Sequence, residues 1–157
     1  LNLGYPGGPE IAKRSELSNK NNYIFPRPMI RSNDYNFSFS GLKTHALNTI
    51  QAIELTNGNI NNISYELQSA IVDTLISKSI KASKDLGIKD IVITGGVSAN
   101  KKLREDFSLI KECRAYFPDV KFSTDNGAMI AYAGFLKSKS FASKKNYTIK
   151  PNPSLSL

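Results

Sequence analysis

Apolar residues step by four through Ile63, Leu67, Ile71 and Leu75, and a second row, Val72, Ile76 and Ile80, runs beside the first. Together they make one broad apolar stripe, which predicts a helix of about 25 residues that stops at Gly87. Asp90-Ile91-Val92-Ile93-Thr94 is β-branched and nearly continuous, the pattern of a strand buried in a parallel sheet. Gly95-Gly96 breaks that run, and a helix is expected from about Ala99 to Glu112. Upstream, Phe37-Ser38-Phe39-Ser40 alternates as a half-buried strand does, and Gly41 opens a helix from Leu42 to about Leu55. Ala115-Tyr116-Phe117 and Val120-Lys121-Phe122 read as short strands. Asn126 to Leu136 reads as a helix, buried because Ala128, Ala131, Ala133 and Gly134 permit close packing. Strands alternating with helices in this way define an α/β fold.

Turn chemistry fills the gaps. Tyr5-Pro6-Gly7-Gly8-Pro9 makes a loop, and Pro9-Glu10 suits the first turn of a short helix reaching about Leu17. From Ser18 to Asn36 the chain is rich in Asn, Ser and Pro, and Phe25-Pro26-Arg27-Pro28 disfavours helix before each proline. Residues 1–137 form the expected domain, and residues 138–157 form a basic, proline-containing tail expected to run over the surface. With 157 residues and 40% hydrophobic content the chain has enough apolar material for one core. A single cysteine, Cys113, offers no internal disulfide and fits a reducing, cytoplasmic setting. Apolar runs such as Ile91-Val92-Ile93 are far shorter than the ~18 residues a membrane span needs, so no membrane partner is expected. The net charge of +8 attracts polyanions such as RNA, although lysine enrichment in an Asn- and Ile-rich sequence also accounts for it.

Three segments carry candidate chemistry. Strand 90–94, the glycines Gly95 and Gly96, then Val97-Ser98-Ala99-Asn100 and a helix place free N–H groups beside a glycine turn. Such a turn either receives a phosphate or ribose, or is a plain strand-to-helix join capped by Ser98. The spacing departs from the G-x-G-x-x-G dinucleotide fingerprint. In Ser123-Thr124-Asp125-Asn126, Asp125 is either a helix N-cap or a hard oxygen ligand for a divalent ion. Ser38-Phe39-Ser40-Gly41-Leu42-Lys43-Thr44 sets hydroxyls and a lysine at a helix start, to face an anion or to cap the helix. His45, the single histidine, reads as a helix-surface imidazole, and Cys113 as a small semi-buried residue without a base to make it a nucleophile.

Taken in order, Tyr5-Pro6-Gly7-Gly8-Pro9, Phe25-Pro26-Arg27-Pro28, the Ser38 to Thr44 block, Gly95-Gly96-Val97-Ser98-Ala99-Asn100 and Thr124-Asp125-Asn126-Gly127-Ala128-Met129 resemble successive motifs of the bacterial TsaD/Gcp family of tRNA N6-adenosine threonylcarbamoyltransferases. The resemblance runs from residue 1 to about residue 137 and corresponds to the C-terminal half of the family. It implies one lobe of an actin/Hsp70/sugar-kinase-like (ASKHA) fold. It further implies transfer of a threonylcarbamoyl group from threonylcarbamoyl-adenylate to N6 of the adenosine 3′ of the anticodon, in tRNAs that read codons beginning with A. In the family, one divalent metal ion, Fe2+ or Zn2+, is held by an H-x-x-x-H pair from the first half and by an aspartate that matches Asp125. Substrate-contacting positions match Gly8 and Asn100, and the nucleotide loop matches Gly95 and Gly96. The implied partners are tRNA, the N-terminal half of the family sequence, and proteins of the TsaB and TsaE types.

Departures qualify the match. The histidine pair and a further substrate-binding loop belong to the half outside these residues, Asn2 stands where the family has glycine, and Ala12 where many members have aspartate. The expected consequence is a fragment inactive alone. Two other readings stay open: a non-catalytic nucleotide-binding relative, and a kinase or ATPase fragment of the same superfold.

Overall fold

The computed structural model describes residues 1–18 and 22–138, so the expected tail lies almost wholly outside the described residues. Two units are distinguished, Leu1–Ser123 and Thr124–Leu157. The first contains helices α1 (Gly7–Ser15), α2 (Ser40–Gln51), α3 (Asn57–Leu86) and α4 (Lys101–Ser108), with strands β1 (Asp90–Val92) and β2 (Arg114–Tyr116). The strands pair in parallel, with Asp90 opposite Arg114 and Val92 opposite Tyr116, which makes the unit α/β.

Helix α3 is the axis of this unit. The four-residue rows give it its buried side, Thr56 caps its start by accepting from the Asn59 N–H at 3.2 Å, and Gly87 ends it at φ +67°. Only glycine takes that left-handed conformation without steric cost. One core cluster gathers Phe25, Leu42, Ala46, Ile63 and Ala70 between α2 and the first half of α3. A second gathers Val72, Leu103, Phe107 and Cys113 beneath β1 and β2. Cys113 is buried, and burial pushes its thiol pKa up, which suits an inert core residue. His45 lies on the exposed side of α2 with its ring edge-on to Phe25 at 5.2 Å, as a surface imidazole should.

The excursion before α2 is strapped along α3. Arg27 donates to Asp73 at 2.8 Å and 3.1 Å. The buried Lys78 ammonium donates to both Ser32 oxygens and to the Asp34 carbonyl and carboxylate at 2.6–3.2 Å. Further along, Tyr35 and Lys81 both reach Asp85. An irregular segment of this length keeps its position because its donors and acceptors meet charged groups fixed along one helix, Asp73, Lys78 and Asp85.

Several local expectations are corrected. Residues 37–39 form no strand: no neighbouring chain pairs with them, and α2 begins at Ser40. Val120–Phe122 is a 3-10 turn, and the helix expected from Ala99 to Glu112 is a 3-10 turn over Gly96–Ala99 followed by α4, which ends at Ser108. Strand β1 is parallel as expected but covered on one side only. Ile91 packs towards the second cluster, whereas Val92 is 72% exposed. In the second unit, helix α5 (Gly127–Ser138) buries none of its side chains despite its small residues, because its own unit offers no other described element to pack against.

Candidate functional site

The glycine loop leaves β1 through Gly95, whose φ of 82° and ψ of 176° only glycine adopts readily. A Cβ placed on Gly95 or Gly96 would meet nothing within 4 Å, so open space lies over this backbone. The back of the loop is held by Arg104, which donates to the Ser98 carbonyl at 2.6 Å and the Pro118 carbonyl at 2.7 Å, its guanidinium 4.9 Å from the Phe117 ring centre. Ser98 does not cap the helix. It is fully buried, and its hydroxyl has no partner among the described residues. The cap of α4 is Asn100, whose Oδ1 accepts from the Leu103 N–H at 2.9 Å.

Asn100 is tied to α1 through α3. Its Nδ2 donates to Gln68 Oε1 at 2.8 Å, Gln68 Nε2 donates to Ser15 Oγ at 2.7 Å, and the Ser15 hydroxyl donates to the Ala12 carbonyl at 2.6 Å. Ser15 and Gln68 are both buried, so these bonds sit where an unpaired polar group would be costly. Gly8 lies in the first turn of the same α1, exposed and with open space at its Cα. Two expected substrate positions, Gly8 and Asn100, thus belong to segments joined by one buried hydrogen-bonded chain. Between α1, α3 and α4 lies a cavity of about 220 Å³ lined by Ser15, Gln68, Tyr65, Lys102 and Asp106 among others, with an exposed Lys101–Glu16 pair at 3.3 Å beside it. Sequence reasoning missed Ser15 and Gln68. The available signal was a glutamine one turn before Val72 and beside Leu67 and Ile71, within the apolar rows of the helix.

Asp125 belongs to the second unit. The cap of α5 is Asn126, whose Oδ1 accepts from the Met129 N–H at 2.9 Å, so the capping role considered for Asp125 is taken. Among the described residues Asp125 is exposed and makes no hydrogen bond or ion pair. Nor do the described residues contain any group of three or more His, Cys, Asp or Glu able to hold a metal ion. One carboxylate does not make an ion site, and the chain's own described residues do not complete one. No helix among them is long and apolar enough to cross a membrane.

Comparison with known proteins adds an independent line. A family model described as TsaD, tRNA N6-adenosine threonylcarbamoyltransferase, matches residues 1–132. Proteins of that name are similar along most of this chain. The one from Thermosipho africanus is 45% identical over 97% of the chain, and that from Aromatoleum aromaticum 43% identical over 87%. The one from Herminiimonas arsenicoxydans is 41% identical over 98%. The matched regions make up 47%, 41% and 47% of those relatives, so the chain spans about half the length of the curated relatives it matches.

Proposed function

Since the chain belongs to the tRNA N6-adenosine threonylcarbamoyltransferase family, we propose that it supplies the nucleotide-side half of a threonylcarbamoyl transferase acting on tRNA. The observation that carries this reading is the buried Ser15–Gln68–Asn100 chain. It holds the glycine loop and α1, the two segments that correspond to substrate-contacting motifs, in one fixed relation. In the proposed reaction N6 of the adenosine 3′ of the anticodon attacks the threonylcarbamoyl carbonyl carbon. A C–N bond forms, the bond to the adenylate phosphate oxygen breaks, AMP leaves and N6 loses one proton. The tRNAs concerned are those reading codons that begin with A.

The residues divide the work by what they can offer. Gly95 and Gly96 leave their backbone open to close approach. Asn100 presents its amide from a rigid cap, and Gly8 lets a ligand lie against α1 without a side chain in the way. Asp125, unpartnered among the described residues, would contribute one oxygen to a divalent ion, iron or zinc, whose remaining ligands come from a family-type first half of an ASKHA-type two-lobe protein. Such an ion, once bound, would supply Lewis acidity. Proteins of the TsaB and TsaE types are the expected helpers, and the cytoplasm the expected setting.

The test is reconstitution. The chain joined to a family-type first half, given threonylcarbamoyl-adenylate and unmodified tRNA, is expected to form threonylcarbamoyladenosine, read by mass spectrometry of the digested nucleosides. The 157-residue chain alone is expected to form none. Transfer by the lone chain would overturn the shared-site reading. AMP binding without transfer by the joined protein would favour a non-catalytic nucleotide-binding relative.

A further inference from the structure

The hydrogen-bond chain through Gln68 has a direction, and both ends of it are fixed by backbone groups. At one end the Ser15 hydroxyl gives its only proton to the Ala12 carbonyl at 2.6 Å. Ser15 Oγ must therefore accept from its other neighbour, which obliges Gln68 to turn its NH₂ towards Ser15 and its carbonyl towards Asn100. At the other end the Leu103 N–H is a donor only, so Asn100 must turn its Oδ1 there and its NH₂ towards Gln68. Reversing Asn100 would set donor against donor at Leu103, and reversing Gln68 would set donor against donor at Asn100 and draw the serine proton away from the Ala12 carbonyl. Amide orientation is usually inferred from the surrounding network. Here the two backbone groups leave a single consistent solution.

Asn100 is left with one Nδ2–H beyond the bond to Gln68, while its Oδ1 is engaged by the helix cap. We propose that Gln68 is a positioning residue that fixes Asn100 as a hydrogen-bond donor, so that the atom Asn100 meets on a bound nucleotide is an acceptor, a ribose oxygen or a ring nitrogen. This rests on the nucleotide reading of the site given above. It assigns Gln68 and Ser15 a role through Asn100, with no ligand contact of their own. It also predicts that polarity, more than size, matters at position 68. Glutamate keeps an oxygen for Asn100 and can take the Ser15 proton, the Ala12 carbonyl still accepting the Glu16 N–H, whereas methionine of similar length offers only a weakly accepting thioether.

The test uses the chain joined to a family-type first half, with AMP as the probe and calorimetric affinity as the readout, alongside thermal melts. Gln68→Met is expected to weaken AMP binding roughly tenfold, the scale of one lost oriented hydrogen bond. Gln68→Glu is expected to stay within about threefold of wild type. Asn100→Asp keeps an N-cap oxygen but removes the donor, and should weaken AMP at least as much as Gln68→Met. The double variant Gln68→Met with Asn100→Asp should be no weaker than Asn100→Asp alone, because the two act through one amide. Wild-type AMP affinity in Gln68→Met, an equal loss in Gln68→Glu, additive losses in the double variant, or no AMP binding by the wild-type protein would each overturn the proposal. Failure of the wild-type joined protein to modify tRNA would instead sink the transferase reading, and the AMP affinities would still decide the role of Gln68.

Discussion

Two glycines of the first unit hold positive φ, and they do so for different reasons. Gly87 closes α3 in the left-handed conformation, φ +67° and ψ 19°, the position where asparagine is the next best residue. Gly95, at φ 82° and ψ 176°, lies in a region that side chains hardly visit. A Cβ would be sterically free of neighbours at either position, so the cost of substitution is local backbone strain alone. Gly87→Ala is expected to cost about 1 kcal/mol, and Gly87→Asn less. Gly95→Ala should cost roughly 1–3 kcal/mol, or else shift the loop and weaken AMP binding without a full loss of stability. Denaturant melts of the three variants, with AMP titration of the Gly95 variant, check this ordering. Equal losses at the two glycines would show that the loop at Gly95 relaxes freely.

Helices were legible in the sequence where a long stripe repeats, and strands were not legible where pairing decides. The rows from Ile63 to Ile80 located α3, and Gly87 located its end, because both signals are local. Phe37-Ser38-Phe39 and Val120-Lys121-Phe122 alternate as strands do, yet a strand needs a neighbour to bond with and neither segment has one. The caps were left open for the same reason: Ser98 and Asp125 are suitable caps by type, one of two roles each could take, but backbone geometry gives the role to Asn100 and Asn126, two and one residues later. The strap of residues 27–35 on α3 was likewise invisible, since it depends on polar and charged groups 44 to 50 positions apart meeting in space. Lys78→Met should remove four hydrogen bonds from that strap, cost about 1–3 kcal/mol, and make residues 27–36 more open to limited proteolysis while α3 persists. Hydrogen bonds from Ser32 and then Lys78 lower the Asp34 carboxyl to about 2 from its ordinary 3.8. A depressed carboxylate stabilises the fold fully above its unfolded value, and that contribution fades as pH falls from about 4 through about 2. The stability gap between wild type and Lys78→Met should therefore narrow on acidification from pH 6 to pH 2.5. A gap constant across that range would show that the strap does not depend on the Asp34 charge.

On the scale of the whole molecule, the first unit pairs two parallel strands among the described residues, with Val92 and Tyr116 on the uncovered side, and the chain spans about half the length of the curated relatives it matches. Parallel sheets are ordinarily covered on both faces, and the ion site proposed for Asp125 has to be tested with a family-type first half joined. Asp125 is the residue on which such a test turns. Because Asn126 caps α5, replacing Asp125 should leave stability almost unchanged, and Asn126→Ala should lose about 1 kcal/mol. If Asp125 gives one oxygen to a divalent ion shared with a family-type first half, Asp125→Asn replaces an anionic ligand by a neutral, poorer one. Metal content should then fall, and transfer to tRNA should fall by about 100-fold or more, since a bound ion can supply several kcal/mol of transition-state stabilisation. Asn126→Ala should show the opposite pattern, a lower Tm with metal and transfer retained. Elemental analysis and nucleoside mass spectrometry on the two joined variants separate the roles. Wild-type metal content together with wild-type transfer in Asp125→Asn would remove Asp125 from the ion site, and a shared loss of metal in both variants would mean that the α5 start acts by its fold and not by the carboxylate.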